Sequence, residues 1–262
     1  MSAFVLAMDT ATEEVALALG ERTGDRVELV ADRDFEAPRA ALGRLLPAAQ
    51  ELLVRAGLTP SDIAEVVVGR GPGSFTGVRI GVSSAKGFAH GLGAPLFGVG
   101  TLDAIAWRFA ETDGLLGVVG DAMRGEVYPA LFRVASGQVR RLSDDTVMSP
   151  VAAAQMWAES VDEPLVLVGN GLRKYEDVFC ATLGSRAVVA GRPMWTPAGV
   201  GLLAAYADAR LRGVLGDGQP GAVLPVYTRL SDAEENELRA LGNAPEMTPD
   251  SGVAGPRGVN GL

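Results

Sequence analysis

The sequence predicts an α/β protein built from two similar halves, each a sheet with helices packed against it. Residues 1–105 show the pattern of three strands, helix, strand, helix, strand and helix, and residues 106–212 begin the same order again. In addition, VVVGRG at 66–71 recurs as VLVGNG at 166–171, at the same place in both orders. Such a duplication predicts two lobes with a cleft between them, where ligands often bind.

Each element of the first half has its own pattern. Short polar turns separate three apolar runs that predict strands, at Ala3–Met8, Val15–Leu19 and Val27–Val30. Leucines at helical spacing predict a helix over Arg39–Ala56. The half is completed by a strand ending at Gly69, a helix over Thr76–His90, a strand over Pro95–Val99 and a helix from Leu102.

The second half predicts strands over Leu116–Asp121, Val127–Val134 and Val139–Val147, then a helix over Pro150–Glu159 capped by Ser149. We therefore expect an N-terminal lobe of residues 1–105 and a C-terminal lobe of residues 106–212, whose last helix packs back on the first lobe. Residues 213–242 form an extension in which Ser231–Glu234 begins a short helix with a capping-box pattern. Residues 243–262 are rich in Pro, Gly and Asn without periodicity, which predicts disorder.

Composition excludes several classes of function. With a net charge of −9, the chain is poorly suited to binding a nucleic-acid backbone unaided, because phosphates require clustered Lys and Arg. The single cysteine, Cys180, excludes an internal disulfide and fits a reducing cytosol. No stretch approaches the roughly 18 apolar residues of a membrane helix. We expect a cytoplasmic protein without a membrane segment.

The glycine-rich stretch GRGPGSFTGVRIG at 69–81 lacks the requirements of three known chemistries. A Walker A loop would place a lysine after its last glycine, but Phe75 and Thr76 stand there and the nearest lysine is Lys86. A dinucleotide-binding loop would require glycine at Ser74. A nucleophile elbow would require glycine where Pro72 and Thr76 flank this serine. None of these activities is predicted.

Acid–base and metal chemistry are equally poorly supplied. The only imidazole, His90, lies sixteen residues beyond Ser74 along one predicted helix. At about 1.5 Å per residue this is roughly 24 Å, which excludes a direct Ser–His pair. With one histidine and one cysteine, any metal site would have to be built mainly from carboxylates, which argues against a zinc hydrolase. We predict no catalytic residue and no metal ligand.

The helix after this loop carries small residues on one face, because Gly77, Gly81 and Ala85 recur every four residues beside Ser84. Each glycine costs about 1 kcal/mol in a helix interior, so the pattern indicates the close approach of another backbone. That backbone belongs either to a neighbouring helix or to a second polypeptide. Ser74 or Thr76 is expected to cap the helix, and its free amides could attract an anion.

A second motif of interest is Asp9-Thr10-Ala11-Thr12. Actin-like and Hsp70-like ATPases hold phosphate and a hydrated metal on a strand that ends in Asp and is followed by hydroxyl residues, whereas an ordinary hairpin turn has the same composition. The loop at Asp121 and the Gly169–Gly171 turn are the counterparts in the second half. The candidate nucleotide or phosphate residues are Asp9, Thr10, Thr12, Asp121, Gly169 and Gly171.

These stretches together resemble the TsaB family, also called YeaZ, from the N-terminus to about residue 240. The resemblance rests on AMDTAT at 7–12, GRGPGSFTGVRIG at 69–81, AKGFAHGLGAPLFGVGTLDAIA at 85–106, DAMRGEVY at 121–128 and GNG at 169–171. It implies a duplicated actin-like fold of the ASKHA, RNase H-like type, with two lobes and a cleft. It also implies a non-catalytic dimerisation and activating subunit in the biosynthesis of N6-threonylcarbamoyladenosine at position 37 of tRNA.

In this family the partner is TsaD, which transfers threonylcarbamoyl from threonylcarbamoyl-AMP to tRNA, and the ATPase TsaE joins the complex. The metal-binding His-x-x-x-His motif of TsaD aligns with Thr101 and Ile105 here, and neither side chain can replace histidine as a ligand. The family's usual basic residue after Asp-Ala is Met123 here, followed by Arg124. The resemblance also implies that the chain reaches tRNA only through the complex.

We expect the helix Thr76–His90, together with Arg39–Ala56, to form the partner surface, and a homodimer through the same helices is the alternative. The rival function is a stand-alone actin-like ATPase or small-molecule kinase that uses Asp9, Thr10 and Thr12. No cofactor of its own is expected beyond weakly held ATP or ADP with Mg²⁺ in the cleft or at the partner interface. The predicted interface residues are Leu45, Leu52, Gly77, Arg79, Gly81, Ser84, Ala85 and Phe88.

Overall fold

The computed structural model describes residues 2–37 and 40–228. Met1–Thr228 form one compact unit that contains two sheets. The predicted helix start at Ser231–Glu234 and the tail at 243–262 lie outside the described residues.

The first sheet combines an antiparallel meander with two parallel strands. Its strands are β1 (Ser2–Asp9), β2 (Glu14–Thr23), β3 (Arg26–Asp32), β4 (Phe35–Glu36), β5 (Ile63–Gly69) and β6 (Leu96–Val99). Their order is β3-β2-β1-β5-β6, with β4 beside β2. Strand β1 is antiparallel to β2 and parallel to β5, so it is central and reads as a continuous apolar run.

The second sheet repeats this arrangement. Its strands are β7 (Gly114–Asp121), β8 (Val127–Ala135), β9 (Gln138–Arg141), β10 (Leu165–Val168) and β11 (Ala187–Val189). Their order is β9-β8-β7-β10-β11, in which β7 is antiparallel to β8 and parallel to β10. Strands β5 and β10, which carry VVVG and VLVG, thus occupy the same place beside their central strands. The duplicated α/β fold is confirmed.

In the described residues, six α-helices cover the sheets: α1 (Ala41–Arg55), α2 (Phe75–Leu92), α3 (Thr101–Trp107), α4 (Pro150–Ser160), α5 (Leu172–Leu183) and α6 (Gly199–Leu211). Helices α1 and α2 pack on one face of the first sheet. Helices α3, α4 and α5 contribute to the core around the second sheet. Helix α6 packs on the other face of the first sheet, where Leu202 and Tyr206 join a core with Val5 and Ala7.

Two features differ from the sequence predictions. The strand predicted over Val139–Val147 ends at Arg141, because the Ser143 hydroxyl accepts from the Leu131 amide at 2.9 Å and replaces the next backbone partner. Helices α5 and α6 were not predicted individually. Helix α6 lacks an amphipathic pattern, since it lies between the first sheet and α3 and is apolar on most sides.

Candidate functional site

The small residues of α2 pack against the turn that follows β1. A β-carbon at Gly77 would overlap the carbonyl oxygen of Thr10, and one at Gly81 would lie 2.6 Å from the Thr10 hydroxyl oxygen. That hydroxyl donates to the Gly77 carbonyl at 2.6 Å. The backbone that approaches these glycines therefore belongs to the β1–β2 turn. Both predicted sources, a neighbouring helix and a second polypeptide, are wrong for these two positions.

The loop before α2 is held by the same turn. The Ser74 amide donates to the Ala11 carbonyl at 2.7 Å, and a β-carbon at Gly73 would lie 2.5 Å from that oxygen. The Ser74 hydroxyl accepts from the Gly77 amide at 3.2 Å, so the predicted cap is confirmed at Ser74. The glycine-rich loop thus brings the first turn of α2 into contact with the end of β1.

Asp9 is fully buried at the end of β1, and internal donors bind both of its carboxylate oxygens. Its Oδ1 accepts from the Ala11 amide at 2.6 Å, and its Oδ2 accepts from the Thr101 hydroxyl at 2.7 Å. The Thr101 hydroxyl in turn accepts from the Gly71 amide at 3.1 Å. Burial raises the pKa of Asp9 from 3.8 to about 6, although these hydrogen bonds oppose the shift. Asp9 therefore joins β1, the glycine-rich loop and α3.

Asp121 is the counterpart of Asp9 at the end of β7, but it is less deeply buried. Its Oδ1 accepts from the Met123 amide at 3.0 Å, which repeats the Asp9–Ala11 turn. Its Oδ2 pairs with the Lys174 ammonium at 2.6 Å, and this hydrogen bond raises the pKa of Lys174. Met123 and Arg124 both have positive φ, at 62° and 51°. The duplicated turn thus has different partners in each half.

A polar network joins the two halves. The Asn170 side chain accepts from the Asp121 amide at 2.9 Å and donates to the Glu13 carboxylate at 2.9 Å. Arg173 pairs with Glu13 at 2.8 Å and with Glu14 at 3.5 Å. The turn after β10 is therefore linked to the turn after β1. The predicted cleft is spanned here by the chain's own charged side chains.

The other residues predicted to bind a nucleotide contact neighbouring backbone within the chain. A β-carbon at Gly169 would overlap the Val119 carbonyl, and one at Gly171 would lie 2.9 Å from the same oxygen. The Thr12 hydroxyl donates to the Glu14 carbonyl at 3.1 Å. Asp9 and Thr10 are in one buried turn, whereas Asp121 lies beside the Gly169–Gly171 turn in the other half. The predicted residues therefore lie in two turns that the polar network links, and their role in binding a nucleotide stays a prediction.

Sequence reasoning missed the charged side chains that link the halves. Two acids, Glu13 and Glu14, follow the DTAT turn directly, and the base that pairs with them, Arg173, lies just beyond the GNG turn. Opposite charges after two equivalent turns were the available signal. Among the described residues, no group of three or more His, Cys, Asp or Glu is arranged to hold a metal.

The predicted interface residues divide by exposure. Leu45, Leu52, Gly77, Gly81 and Ala85 are buried within the chain, so they have no surface with which to contact a partner directly. Their spacing reflects packing of α1 and α2 on the sheet and the β1–β2 turn. The interface prediction is therefore reduced to the residues with accessible surface, which are Arg79, Ser84 and Phe88.

Comparison with known proteins identifies the family. A family model described as TsaD, tRNA N6-adenosine threonylcarbamoyltransferase, matches residues 35–190, more than half of the chain. The Escherichia coli tRNA threonylcarbamoyladenosine biosynthesis protein TsaB is 36% identical over 179 residues, covering 66% of this chain and 74% of its own. The chain belongs to the TsaB (YeaZ) family. The Bacillus subtilis TsaB is 28% identical over 88% of this chain and 96% of its own length.

Solved structures agree with the TsaB assignment. YeaZ from Pseudomonas aeruginosa superposes with a TM-score of 0.71 at 28% identity, covering 86% of this chain and 99% of that one. A second Pseudomonas aeruginosa structure, described as similar to peptidase YEAZ, gives a TM-score of 0.72. The match covers 87% of this chain and 100% of that one. The predicted TsaB fold is confirmed, and the named TsaB relatives belong to tRNA threonylcarbamoyladenosine biosynthesis. No helix in the described part of the chain is long and apolar enough to cross a membrane.

Proposed function

We propose that this TsaB-family chain is a non-catalytic subunit that pairs with TsaD during transfer of threonylcarbamoyl to adenosine 37 of tRNA. The ATPase TsaE joins the same complex, and this chain reaches tRNA only through that complex. The acidic net charge of −9 supports this indirect route, since the chain has few cations to spare for a phosphate backbone.

The observation that carries the proposal is the burial and internal bonding of Thr101 and Ile105. These residues occupy the two positions aligned with the metal-binding histidines of TsaD. Both side chains are buried in α3, at 1% exposure each. The Thr101 hydroxyl already donates to Asp9 and accepts from the Gly71 amide. These two positions serve packing and hydrogen bonding within the chain, and neither offers the imidazole ligand that the metal chemistry requires.

Peptidase and ATPase activities are less well supported. Helix α2 runs without a break over Phe75–Leu92, so Ser74 at its cap and His90 in its last turn lie at opposite ends. For the rival ATPase, both oxygens of Asp9 and the hydroxyl of Thr10 have buried partners inside the chain. Binding phosphate or hydrated Mg²⁺ at this turn would first require those hydrogen bonds to break. Any weakly held nucleotide is therefore better placed beside a partner than on Asp9.

The surface proposed for TsaD is the exposed side of α2 with the adjacent α1. On α2, the small residues Ser83, Gly87 and Gly91 are exposed, and a β-carbon at Gly87 or Gly91 would meet no atom within 4 Å. On α1, Leu42 is 70% exposed and Leu46 is 44% exposed. Exposed apolar side chains beside a flat small-residue face are typical of a protein-binding surface.

Reconstitution tests the function directly. Transcribed tRNA, threonine, bicarbonate, ATP, TsaD, TsaE and the enzyme that makes threonylcarbamoyl-AMP are combined with and without this chain. We expect modified tRNA to accumulate only when the chain is present. Equal modification without it would refute the proposal. Steady ATP hydrolysis by the isolated chain that Asp9→Asn abolishes would instead support the rival ATPase.

Two matched variants test the surface. Gly87→Trp places a large side chain on the exposed face of α2, whereas Ala152→Trp places the same side chain on the exposed face of α4. Because both sites are exposed, both variants should fold. We expect Gly87→Trp to lose TsaD binding in a pull-down and Ala152→Trp to keep it. Binding of Gly87→Trp at the wild-type level would contradict this placement, and size-exclusion chromatography would show whether a homodimer uses the same face.

A further inference from the structure

A cavity of 170 Å³ lies at the outer edge of the first sheet, between β6 and residues 214–223. Most of its walls are apolar or backbone, and its lining contains two charged side chains, Arg70 and Asp217. Its apolar walls include Phe97, Leu215 and Val223. The cavity is far smaller than a nucleotide site, which usually exceeds about 300 Å³. It is separate from the polar network that joins the two halves, and what it binds does not depend on the function proposed above.

Strand β6 is the edge strand of the first sheet and borders this cavity. As the edge strand, it uses the Leu96 amide to bind the Gly218 carbonyl at 2.9 Å. Because alternate residues of a strand point the same way, the Gly98 backbone groups face this edge as well. A β-carbon at Gly98 would lie 3.0 Å from Arg70 Cδ and 3.1 Å from Val223 Cγ1. The absence of a side chain at Gly98 keeps this part of the cavity open.

The two charges that line the cavity are available for a ligand. Across residues 2–37 and 40–228, the Arg70 guanidinium has no hydrogen bond or ion pair. Asp217 accepts one bond, from the Gln219 amide at 3.0 Å to Oδ1, and forms no ion pair with a described residue, Arg70 included. Its carboxylate also lines an adjoining cavity of 340 Å³. Within the described part of the chain, one cation and one anion without an ion-pair partner therefore line the same small space.

We propose that this cavity binds a free α-amino acid with a small apolar side chain. The carboxylate of the ligand binds Arg70, whose planar guanidinium suits bidentate contact, and its ammonium group binds Asp217. Its side chain packs against Phe97 and Val223. A cavity of about 150 Å³ accommodates benzene, and this cavity of 170 Å³ is somewhat larger, as valine is larger than benzene. A phosphate would be repelled by Asp217 and a simple cation by Arg70, so the charge pair selects a zwitterion.

Three probes of one shape test the charge requirement on the full chain by isothermal titration calorimetry. They are L-valine, isobutylamine, which lacks the carboxylate, and 3-methylbutanoate, which lacks the ammonium group. We expect saturable binding of valine and at least about tenfold weaker binding of each analogue, since each loses one charge-assisted contact. Absence of valine binding, or equal binding of either analogue, would overturn the proposal.

Four variants locate the site. Arg70→Met keeps the aliphatic stem beside Gly98, and Asp217→Asn keeps the acceptor for the Gln219 amide, so each removes mainly a charge. Both should weaken valine binding by at least about tenfold. The controls are Arg26→Met and Asp113→Asn; Arg26 is exposed, and exposed Asp113 accepts one backbone bond, from Ser136 at 2.9 Å. Wild-type affinity in either cavity variant, with thermal unfolding confirming a folded chain, would refute the assignment.

Discussion

Replacing Gly77 with alanine tests whether the glycines of α2 serve internal packing. The new β-carbon would approach the Thr10 carbonyl far closer than the 3.0 Å that real β-carbons keep, so α2 or the β1–β2 turn must shift. Overpacking of this kind costs about 1–3 kcal/mol, and weakening the Thr10–Gly77 hydrogen bond costs about 1 kcal/mol. Alanine recovers up to about 1 kcal/mol of helix propensity. The net expectation is a loss of about 2 kcal/mol in the free energy of unfolding.

Gly87→Ala on the same helix is the matched control. Its β-carbon would meet no atom within 4 Å, so the propensity gain should stand alone and stabilise the chain by about 0.5–1 kcal/mol. Urea unfolding followed by circular dichroism measures both variants, and we expect them to differ by about 3 kcal/mol with similar m-values. Equal stability of the two variants would show that α2 does not rest against the β1–β2 turn as described.

Three further outcomes are expected. Burial raises the folded pKa of Asp9 to about 6 from 3.8, so the stability that its neutral form contributes is complete below pH 3.8 and is lost as pH rises through 6. The unfolding free energy of Asp9→Asn relative to wild type should therefore rise by about 3 kcal/mol between these limits in urea titrations at stepped pH, and a constant difference would contradict the burial argument. Tyr206→Phe removes the buried hydroxyl that donates to Glu65 and should cost about 1–3 kcal/mol in urea unfolding, whereas Tyr227→Phe at an exposed site should cost less. Arg173→Met breaks the pairs with Glu13 and Glu14 and should lower the melting temperature slightly, because exposed pairs contribute about 1 kcal/mol or less. That difference should shrink in high salt, and a difference that salt leaves unchanged would indicate lost packing instead.

The elements that the sequence predicted well are those with strong local patterns. Strands β1, β2 and β5 are buried or half-buried apolar runs; the predicted ranges of β1 and β2 lie within the observed ones, and β5 ends at Gly69 as predicted. Helix α2 was recognised because Ser74 caps its start and its small residues keep a helical spacing. In these elements local propensity and tertiary packing favour the same structure. The bounds of helix α6, the expected last helix, were not predicted because packing on both sides removes the polar face that the pattern depends on.

The candidate site was only partly predictable. The turns at Asp9 and Asp121 could be identified as candidates, because a carboxylate at the end of a central strand is conspicuous in the sequence. The partners of the two aspartates could not be predicted, because a buried aspartate held by Thr101 and an aspartate paired with Lys174 have the same local sequence signal. Burial and the identity of distant partners distinguish them. The burial of each aspartate and the identity of its partner depend on residues about 50 to 90 positions away.

By itself, the sequence determined the α/β class, the duplication and the absence of a direct Ser74–His90 pair or a histidine metal motif, since each depends on residue type and spacing. Only the tertiary structure decided what the glycines of α2 contact. A row of small residues on one face of a helix indicates that another backbone comes close, but it does not show which backbone. The answer is Thr10, 67 residues from Gly77 in the chain, brought there because β1 and β5 are adjacent parallel strands. Sheet pairing of this kind is set by the whole fold rather than by the local sequence.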